Sequence, residues 1–250
     1  MANITRKWKR FLAVSCSHGF MADQAVLKEV LRFRDRWKPD TVLHLGDAID
    51  MTCLRSGAIT NDSHDATVNP EADLNDGLAF ISALRPQHYL LGNHEARLVT
   101  LMSHPKAIIS ALATRVYHQI HDRAKSIKCK VYDYKLKIGF VGLGDALFQH
   151  GYLHSENALR DSAERMCHGR YTKLVMGHIH RVQIAEGRRI KGVTGYSVGW
   201  LGDPEMAGYA ENRIATTAWS RGWAWGEYTD NETIVWLTKE TKDGSFRLPV

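Results

Sequence analysis

The sequence predicts an α/β fold, and three observations carry that expectation. Short apolar runs alternate with helix-length amphipathic segments through the N-terminal half, most of those runs end in glycine and polar turn residues, and 44% of the 250 residues are hydrophobic. Alternation of this kind points to parallel strands joined by crossover helices, and a chain of this length buries a substantial core. No composition break marks a linker, so one domain over residues 1–250 is expected, with a helical insert at about 96–130. The start, Arg6-Lys7-Trp8-Lys9-Arg10, has the charge of a signal peptide, but the apolar stretch Phe11 to Val14 is too short for one. No run is long enough to span a bilayer, so a soluble, cytoplasmic protein without a membrane partner is expected. The four cysteines (16, 53, 129 and 167) show no C-x-x-C spacing, and at least three of them read as ordinary reduced thiols. A formal charge of +6 favours anionic partners without choosing among nucleotide, nucleic acid and phosphoprotein, and a solvated basic surface explains it equally well.

In chain order, Phe11 to Ser15 reads as a buried strand that runs out into Cys16-Ser17-His18-Gly19. Ala22 to Trp37 carries an approximate helical stripe with Pro39 just beyond it, and Thr41 to Leu45 is the next strand. Met51 to Pro70 is polar and aperiodic, the pattern of a substrate loop. Glu71 to Leu84 is helical, His88 to Leu91 a short strand, and Ala96 to Lys130 mostly helical, since Ile108, Leu112, Val116 and Ile120 recur every four residues. Packing against the core is the default role for that insert; capping a site is the other. Val131 to Tyr134, Lys137 to Leu143 and Ala146 to Gln149 suggest a second, mainly antiparallel sheet. A helix over Asn157 to Met166, a strand over Lys173 to Met176, strands over Val182 to Ala185 and Arg189 to Val193, and a closing hairpin (Thr216 to Tyr228, Thr233 to Thr238) complete the chain.

Five strand ends deliver residue types that bind metals: Cys16-Ser17-His18, Gly46-Asp47-Ala48-Ile49-Asp50, Gly92-Asn93-His94-Glu95, His150-Gly151 and Gly177-His178-Ile179-His180. An Asp-x-x-Asp pair alone fits a solvated turn equally well. Five such corners in one chain are hard to assign to chance, and their chemistry is that of a carboxylate and imidazole cage for divalent ions.

The ordered set resembles the calcineurin-like metallophosphoesterase superfamily, with a match running from residue 11 to about 200. The resemblance implies a four-layer α-β-β-α sandwich, two mixed sheets flanked by helices, and a two-metal centre at the strand ends. It assigns Cys16, His18, Asp47 and His180 to one metal, and Asp47, Asn93, His150 and His178 to the other, with Asp47 as the bridge. It places His94 on the phosphoryl or leaving oxygen, with Asp50 holding its imidazole. Two divalent or mixed-valence ions (manganese, zinc or iron) are the expected cofactors. Thr194-Gly195-Tyr196-Ser197 loosely echoes the family's Gly-Ser turn.

Cys16 is the departure, because the family usually has Asp there. Thiolate keeps the charge but is soft, and it favours zinc or iron over manganese. A buried core cysteine is the alternative reading. His44, His88, His104, His118, His121 and His168 have no partner at ligand spacing and read as satisfied or exposed side chains, whereas His64, Arg97 and His154 are candidates to touch substrate. Tryptophans such as Trp219, Trp223, Trp225 and Trp236 are explained by core packing at least as well as by binding.

Three functions stay open. A phosphodiesterase acting on nucleotides or nucleic acid is favoured by the basic charge, the loop after Asp50 and aromatics able to stack on bases. A phosphomonoesterase, phosphoprotein phosphatases included, is the alternative; the phosphoprotein branch carries Arg directly after the second Asp of Gly-Asp-x-x-Asp, where this chain has Met51, although Arg97 or another arginine can substitute. A non-catalytic binding module is the third.

Overall fold

The structure is a computed structural model, and it describes residues 7–60, 67–188, 192–206 and 218–248. Strands β1 (Lys9–Val14), β2 (Thr41–His44), β3 (His88–Leu90) and β4 (Lys130–Tyr132) pair in parallel, and β10 (Gly222–Tyr228) and β11 (Thr233–Lys239) add an antiparallel hairpin beside β1. The six-stranded order is β11-β10-β1-β2-β3-β4. Helix α1 (Gln24–Trp37) crosses between β1 and β2; the Asp23 side chain caps it by accepting from the N–H groups of Ala25 and Val26, and Lys38 ends it in a left-handed conformation. It buries Val26, Leu27, Val30, Phe33 and Trp37 against the sheet. That crossover puts the C-terminal ends of β1 and β2 on the same edge, where their ligand loops meet.

The second sheet has the order β5-β6-β7-β9-β8, from β5 (Phe140–Leu143), β6 (Ala146–Gln149), β7 (Lys173–Met176), β8 (Val182–Glu186) and β9 (Thr194–Val198). It differs from the expectation of a mainly antiparallel sheet: β6 and β7 run parallel across the crossover helix α6 (Ala158–Met166) on the outer face, and β9 runs parallel to β7 because the chain first forms β8, the antiparallel edge strand beyond β9. The run at Val131 belongs to the first sheet as β4, paired to β3. Thr194-Gly195-Tyr196-Ser197 lies within β9 and is no turn, while the strand expected over residues 189–193 falls partly outside the described residues. The closing hairpin joins the first sheet beside β1, its turn held by the Thr229 hydroxyl accepting from the N–H groups of Asn231 and Glu232.

Of the aperiodic stretch Met51 to Pro70, residues 61–66 lie outside the described residues, and the part before them carries helical turns at Thr52–Leu54 and α2 (Ser56–Thr60). Pro70 then opens α3 (Pro70–Leu84), where its missing N–H costs nothing. The helices after β3 are α4 (Asn93–Leu101) and α5 (Ala107–Ser126). Leu98, Leu101, Ala113, Val116 and Ile120 pack with Leu74, Leu78 and Tyr89, so both helices are anchored to the first sheet's outer face. Between the sheets lie Phe11, Leu43, Leu90, Phe148, Val175 and Val198. The four layers are thus helices, sheet, sheet, helix.

Phe148 is fully buried and meets the Phe11 ring edge-on at 5.1 Å across that interface. Phe148→Ala is expected to cost about 3–5 kcal/mol in urea denaturation, whereas Ile108→Ala, at a side chain 77% exposed, should stay within about 0.5 kcal/mol. Equal costs for the two variants would contradict face-to-face packing of the sheets.

Candidate metal centre

The centre is built on the C-terminal edges of both sheets. The loop after β1 runs alongside the loop after β2: Cys16 N–H donates to Gly46 O (2.9 Å), His18 N–H to Asp47 O (3.0 Å) and Gly19 N–H to Ala48 O (2.8 Å). This ladder continues the β1–β2 pairing past the ends of the strands. It brings Cys16, His18 and Asp47 together with His180 from the loop after β7, all four buried, with their donor atoms within 4.8 Å of one another. A second set, Asp47, His150 and His178, meets the same limit. Asn93 Oδ1 joins it, 3.1 Å from His150 Nε2. Asp47 is common to both sets.

Hydrogen bonds at the far ring nitrogen decide which atom of His150 and of His18 faces inward. His150 Nδ1 donates to Leu45 O (2.6 Å), leaving Nε2 to face Asp47 Oδ2 at 3.1 Å. His18 Nδ1 lies 3.0 Å from Asp50 Oδ1, so its Nε2 points at His180 Nε2, also 3.0 Å away. His178 presents Nδ1 to the second set, 3.2 Å from His150 Nε2. The Nδ1 of His180 is buried without a hydrogen-bond partner among the described residues; packing holds the ring instead, stacked on Trp200 at 5.3 Å and edge-on to Trp219 at 4.3 Å. The sulfur of Cys16 receives the His178 N–H at 3.3 Å and lies 3.1 Å from the Ser15 hydroxyl.

His94 stands at the edge of the cluster, partly exposed. Its Nδ1 donates to Asp50 O (2.8 Å) and lies 3.2 Å from Asp50 Oδ1, so Nε2 is the free atom, 3.9 Å from Asp47 Oδ2. Asp50 therefore orients both His94 and His18, and its Oδ2 accepts from the Thr52 hydroxyl. Arg97 turns toward Asp50 O and Met51 O at 3.5 and 3.4 Å. His154 is exposed, edge-on to His178 at 6.1 Å; His64 lies outside the described residues. His44 is neutral in the core: burial pushes it down to about 3, and its Nδ1 accepts from Gly46 N–H.

Two positioning residues escaped sequence reasoning. Glu95 is fully buried and accepts from the N–H groups of Asp47 (3.0 Å), Ala48 (2.7 Å) and Gly92 (2.8 Å), and from the Tyr89 hydroxyl (2.6 Å). Asp73, on α3, accepts from the N–H groups of Asp50, Met51 and Phe20; burial pushes its carboxyl up to about 6 against those bonds. Glu95 had a signal, since it adjoins Gly92-Asn93-His94. Asp73 had none, because an acid in a helix's first turn is ordinarily explained by the helix dipole.

Five of the donor residues have left-handed backbones: Cys16 (φ 55°), His18 (φ 53°), Asp47 (φ 54°), His178 (φ 68°) and His180 (φ 56°). Such conformations cost non-glycine residues about 1–3 kcal/mol each, and their concentration here marks a site built at the expense of local comfort. Glycines let the loops close: a Cβ at Gly92 would overlap Asp47 Oδ1, and one at Gly46 would sit 2.6 Å from His150 Nδ1.

Burial and neighbouring charges set the charge states of these groups. Burial disfavours the Asp47 anion, yet the imidazoles of His150, His94 and His18 hold its carboxyl well below the usual range. Burial drives His178 down to about 3 and His180 well below its ordinary value, so both are neutral donors. Burial also opposes charge on His18 and His150, but Asp50 and Cys16 beside the first, and Asp47 beside the second, outweigh it; His18 sits well above 6.5 and His150 near 9. One sulfur, carboxylate oxygens, an amide oxygen and converging imidazole nitrogens fit two borderline cations.

The calcineurin-like phosphoesterase family model matches residues 9–182, the span that carries every one of these donors. No curated protein matches the chain. Among solved structures, the chain is similar to a zinc complex of Vps29 from Entamoeba histolytica (13% identity, TM-score 0.46, covering 95% of this chain and 96% of that one). It is also similar to the E. coli phosphoesterase Yfce (13%, TM-score 0.41, 95% and 96%) and to a predicted phosphoesterase from Streptococcus pneumoniae (16%, TM-score 0.39, 98% and 95%).

Because His18 and His150 hold protons in the metal-free protein at neutral pH, incoming cations must displace them. Apparent metal affinity, measured by chelator competition, should therefore rise with pH between about 6 and about 8, by up to roughly tenfold per unit for each proton released. A flat profile would show that these imidazoles are already deprotonated.

Proposed function

The chain belongs to the calcineurin-like phosphoesterase family, and from that premise we propose that it hydrolyses phosphoesters with two metal ions, and that its substrates are diesters of nucleotides or nucleic acid, with phosphomonoesters as the alternative. The observation that carries the reading is the pair of donor sets sharing Asp47. In this reading Cys16, His18, Asp47 and His180 hold one ion, and Asp47, Asn93, His150 and His178 the other. When bound, the ions supply Lewis-acid polarisation of the phosphoryl group and activation of water. His94 delivers a proton from Nε2 to the leaving oxygen, while Asp50 fixes the ring through Nδ1–H. His18 and His150 are held at Nδ1 by Asp50 and Leu45 O, and His180 is packed against two indoles, so these side chains are ordered before a substrate arrives.

The diester reading is favoured over the phosphoprotein branch by Met51, which is fully buried in the core where that branch has Arg. Arg97, the nearest substitute, is engaged with backbone carbonyls. Among the described residues no helix is long and apolar enough to cross a membrane.

With this assignment, exhaustive chelation should abolish hydrolysis, and His94→Ala should lower kcat by roughly 10²–10⁴-fold with both metals retained. The loss should shrink for a good leaving group such as nitrophenolate. Loss of a metal in this variant would make His94 a ligand instead of an acid.

Cys16→Ala should bind one equivalent of metal fewer, and Cys16→Asp should restore it with more tolerance for manganese. A charge-transfer band from sulfur in the cobalt-loaded protein, absent from Cys16→Asp, is the direct spectroscopic check. Full metal content in folded Cys16→Ala would remove the thiol from the ligand set.

A further inference from the structure

The two halves of the centre have different surroundings. Around Cys16 and His180 the walls are Trp200 and Trp219, with Trp200 2% exposed. Around His150 and His178 the neighbours are aromatic and partly exposed. Tyr134 meets His150 edge-on at 5.7 Å, and its hydroxyl donates to Gly151 O at 2.7 Å, which fixes the ring. Tyr152 stacks on Tyr134 with centroids 4.5 Å apart and planes 21° apart. Tyr152 is half-buried, its hydroxyl has no hydrogen-bond partner among the described residues, and Tyr134 is its one ring neighbour there. His154 adds an exposed ring beside His178. His94, by contrast, meets the His18 ring at 4.9 Å, and among the described residues it makes no ring contact, hydrogen bond or ion pair with these three.

In-line displacement at phosphorus puts the leaving oxygen opposite the nucleophile and leaves the other substituents around the equator. With the leaving oxygen at His94, a monoester has only oxygens to place elsewhere. A diester has a second ester group, and that group needs a surface away from His94. A braced, partly exposed aromatic ring suits a planar group, since every base or aryl ring has a π-face to stack on it.

Resting on the hydrolase reading above, we infer that Tyr152, braced by Tyr134, is a binding platform for the retained ester group of a phosphodiester, and that the preferred substrates carry a planar aromatic group there, as nucleoside esters do. Specificity then resides in the loop after β6, next to the second ion's ligands and apart from the proton donor.

The test uses the metal-loaded protein and two diesters with the same leaving group, benzyl p-nitrophenyl phosphate and methyl p-nitrophenyl phosphate, each rate divided by that of the same ester in hydroxide. The benzyl ester should be favoured in kcat/KM by about tenfold or more, chiefly through KM. Tyr152→Phe should keep this preference, and Tyr152→Ala should reduce it to within about twofold of unity with two equivalents of metal retained. Equal efficiency toward both esters in the unmodified protein overturns the platform, as does a preference that survives in Tyr152→Ala; the first comparison decides even if Tyr152→Ala fails to fold. Hydrolysis of p-nitrophenyl phosphate with neither diester cleaved overturns the platform and the diester reading together but leaves a metal-dependent hydrolase. Cleavage of none of the three overturns the hydrolase reading itself.

Discussion

One buried carboxylate joins the two halves of the first sheet's active edge. Glu95 accepts from Asp47, Ala48 and Gly92 backbone N–H groups and from the Tyr89 hydroxyl, so the loops after β2 and β3 share a single anchor. Burial and the adjacent anion push the Tyr89 hydroxyl well above its ordinary value, which keeps it a donor. Charge-assisted bonds of this kind are stronger than neutral ones, and without Glu95 three N–H groups at the loop turns would lose their acceptor. The shared position of Asp47 between both donor sets depends on this anchor.

The same edge carries concentrated strain. Five donor residues are left-handed; the β1–β2 loop ladder holds Cys16, His18 and Asp47 against relaxation, and the Asp73 carboxylate holds the neighbouring Phe20, Asp50 and Met51 N–H groups. The stabilising counterweight lies elsewhere, in the apolar layer between the sheets and in the helices packed on either face. Separating the two is physically sensible. A rigid core can support donors in conformations that no local sequence preference would select, and donors fixed beforehand need not be ordered when a cation or substrate arrives.

What the sequence made legible follows from range. The βαβ start, the helix at Gln24–Trp37 and the ligand corners are local patterns, and they appear where residue spacing puts them. Sheet membership is not local. Val131 reads as part of a second sheet because it precedes Phe140, yet its hydrogen bonds go to β3. Likewise the parallel run of β6, β7 and β9 is set by the α6 crossover between the first two and by the excursion through edge strand β8 before the third, neither of which strand periodicity reveals. The donor residues could be named because each ends an apolar run. Asp73 could not, since its three acceptor bonds reach back to residues 20, 50 and 51.

The centre is also asymmetric in a way that bears on how it works. Around Cys16 the partners are soft or apolar: a sulfur that receives the His178 N–H, and two indoles against His180. A histidine whose second nitrogen lacks a hydrogen bond is a weaker base than one donating to a carboxylate, so His180 and His18, which has Asp50 behind it, are unequal donors to the same point. Around His150 the partners are hard oxygens, from Asp47 and Asn93, and the rim opens toward Tyr152 and His154. Low-dielectric walls strengthen the electrostatics of the enclosed half, while the open half leaves room for groups on the substrate. On the proposed assignment, then, selection of the metal is concentrated at Cys16 and selection of the substrate at the loop after His150. Substitutions at one end are free to alter ion preference without redrawing the surface that the ester meets at the other.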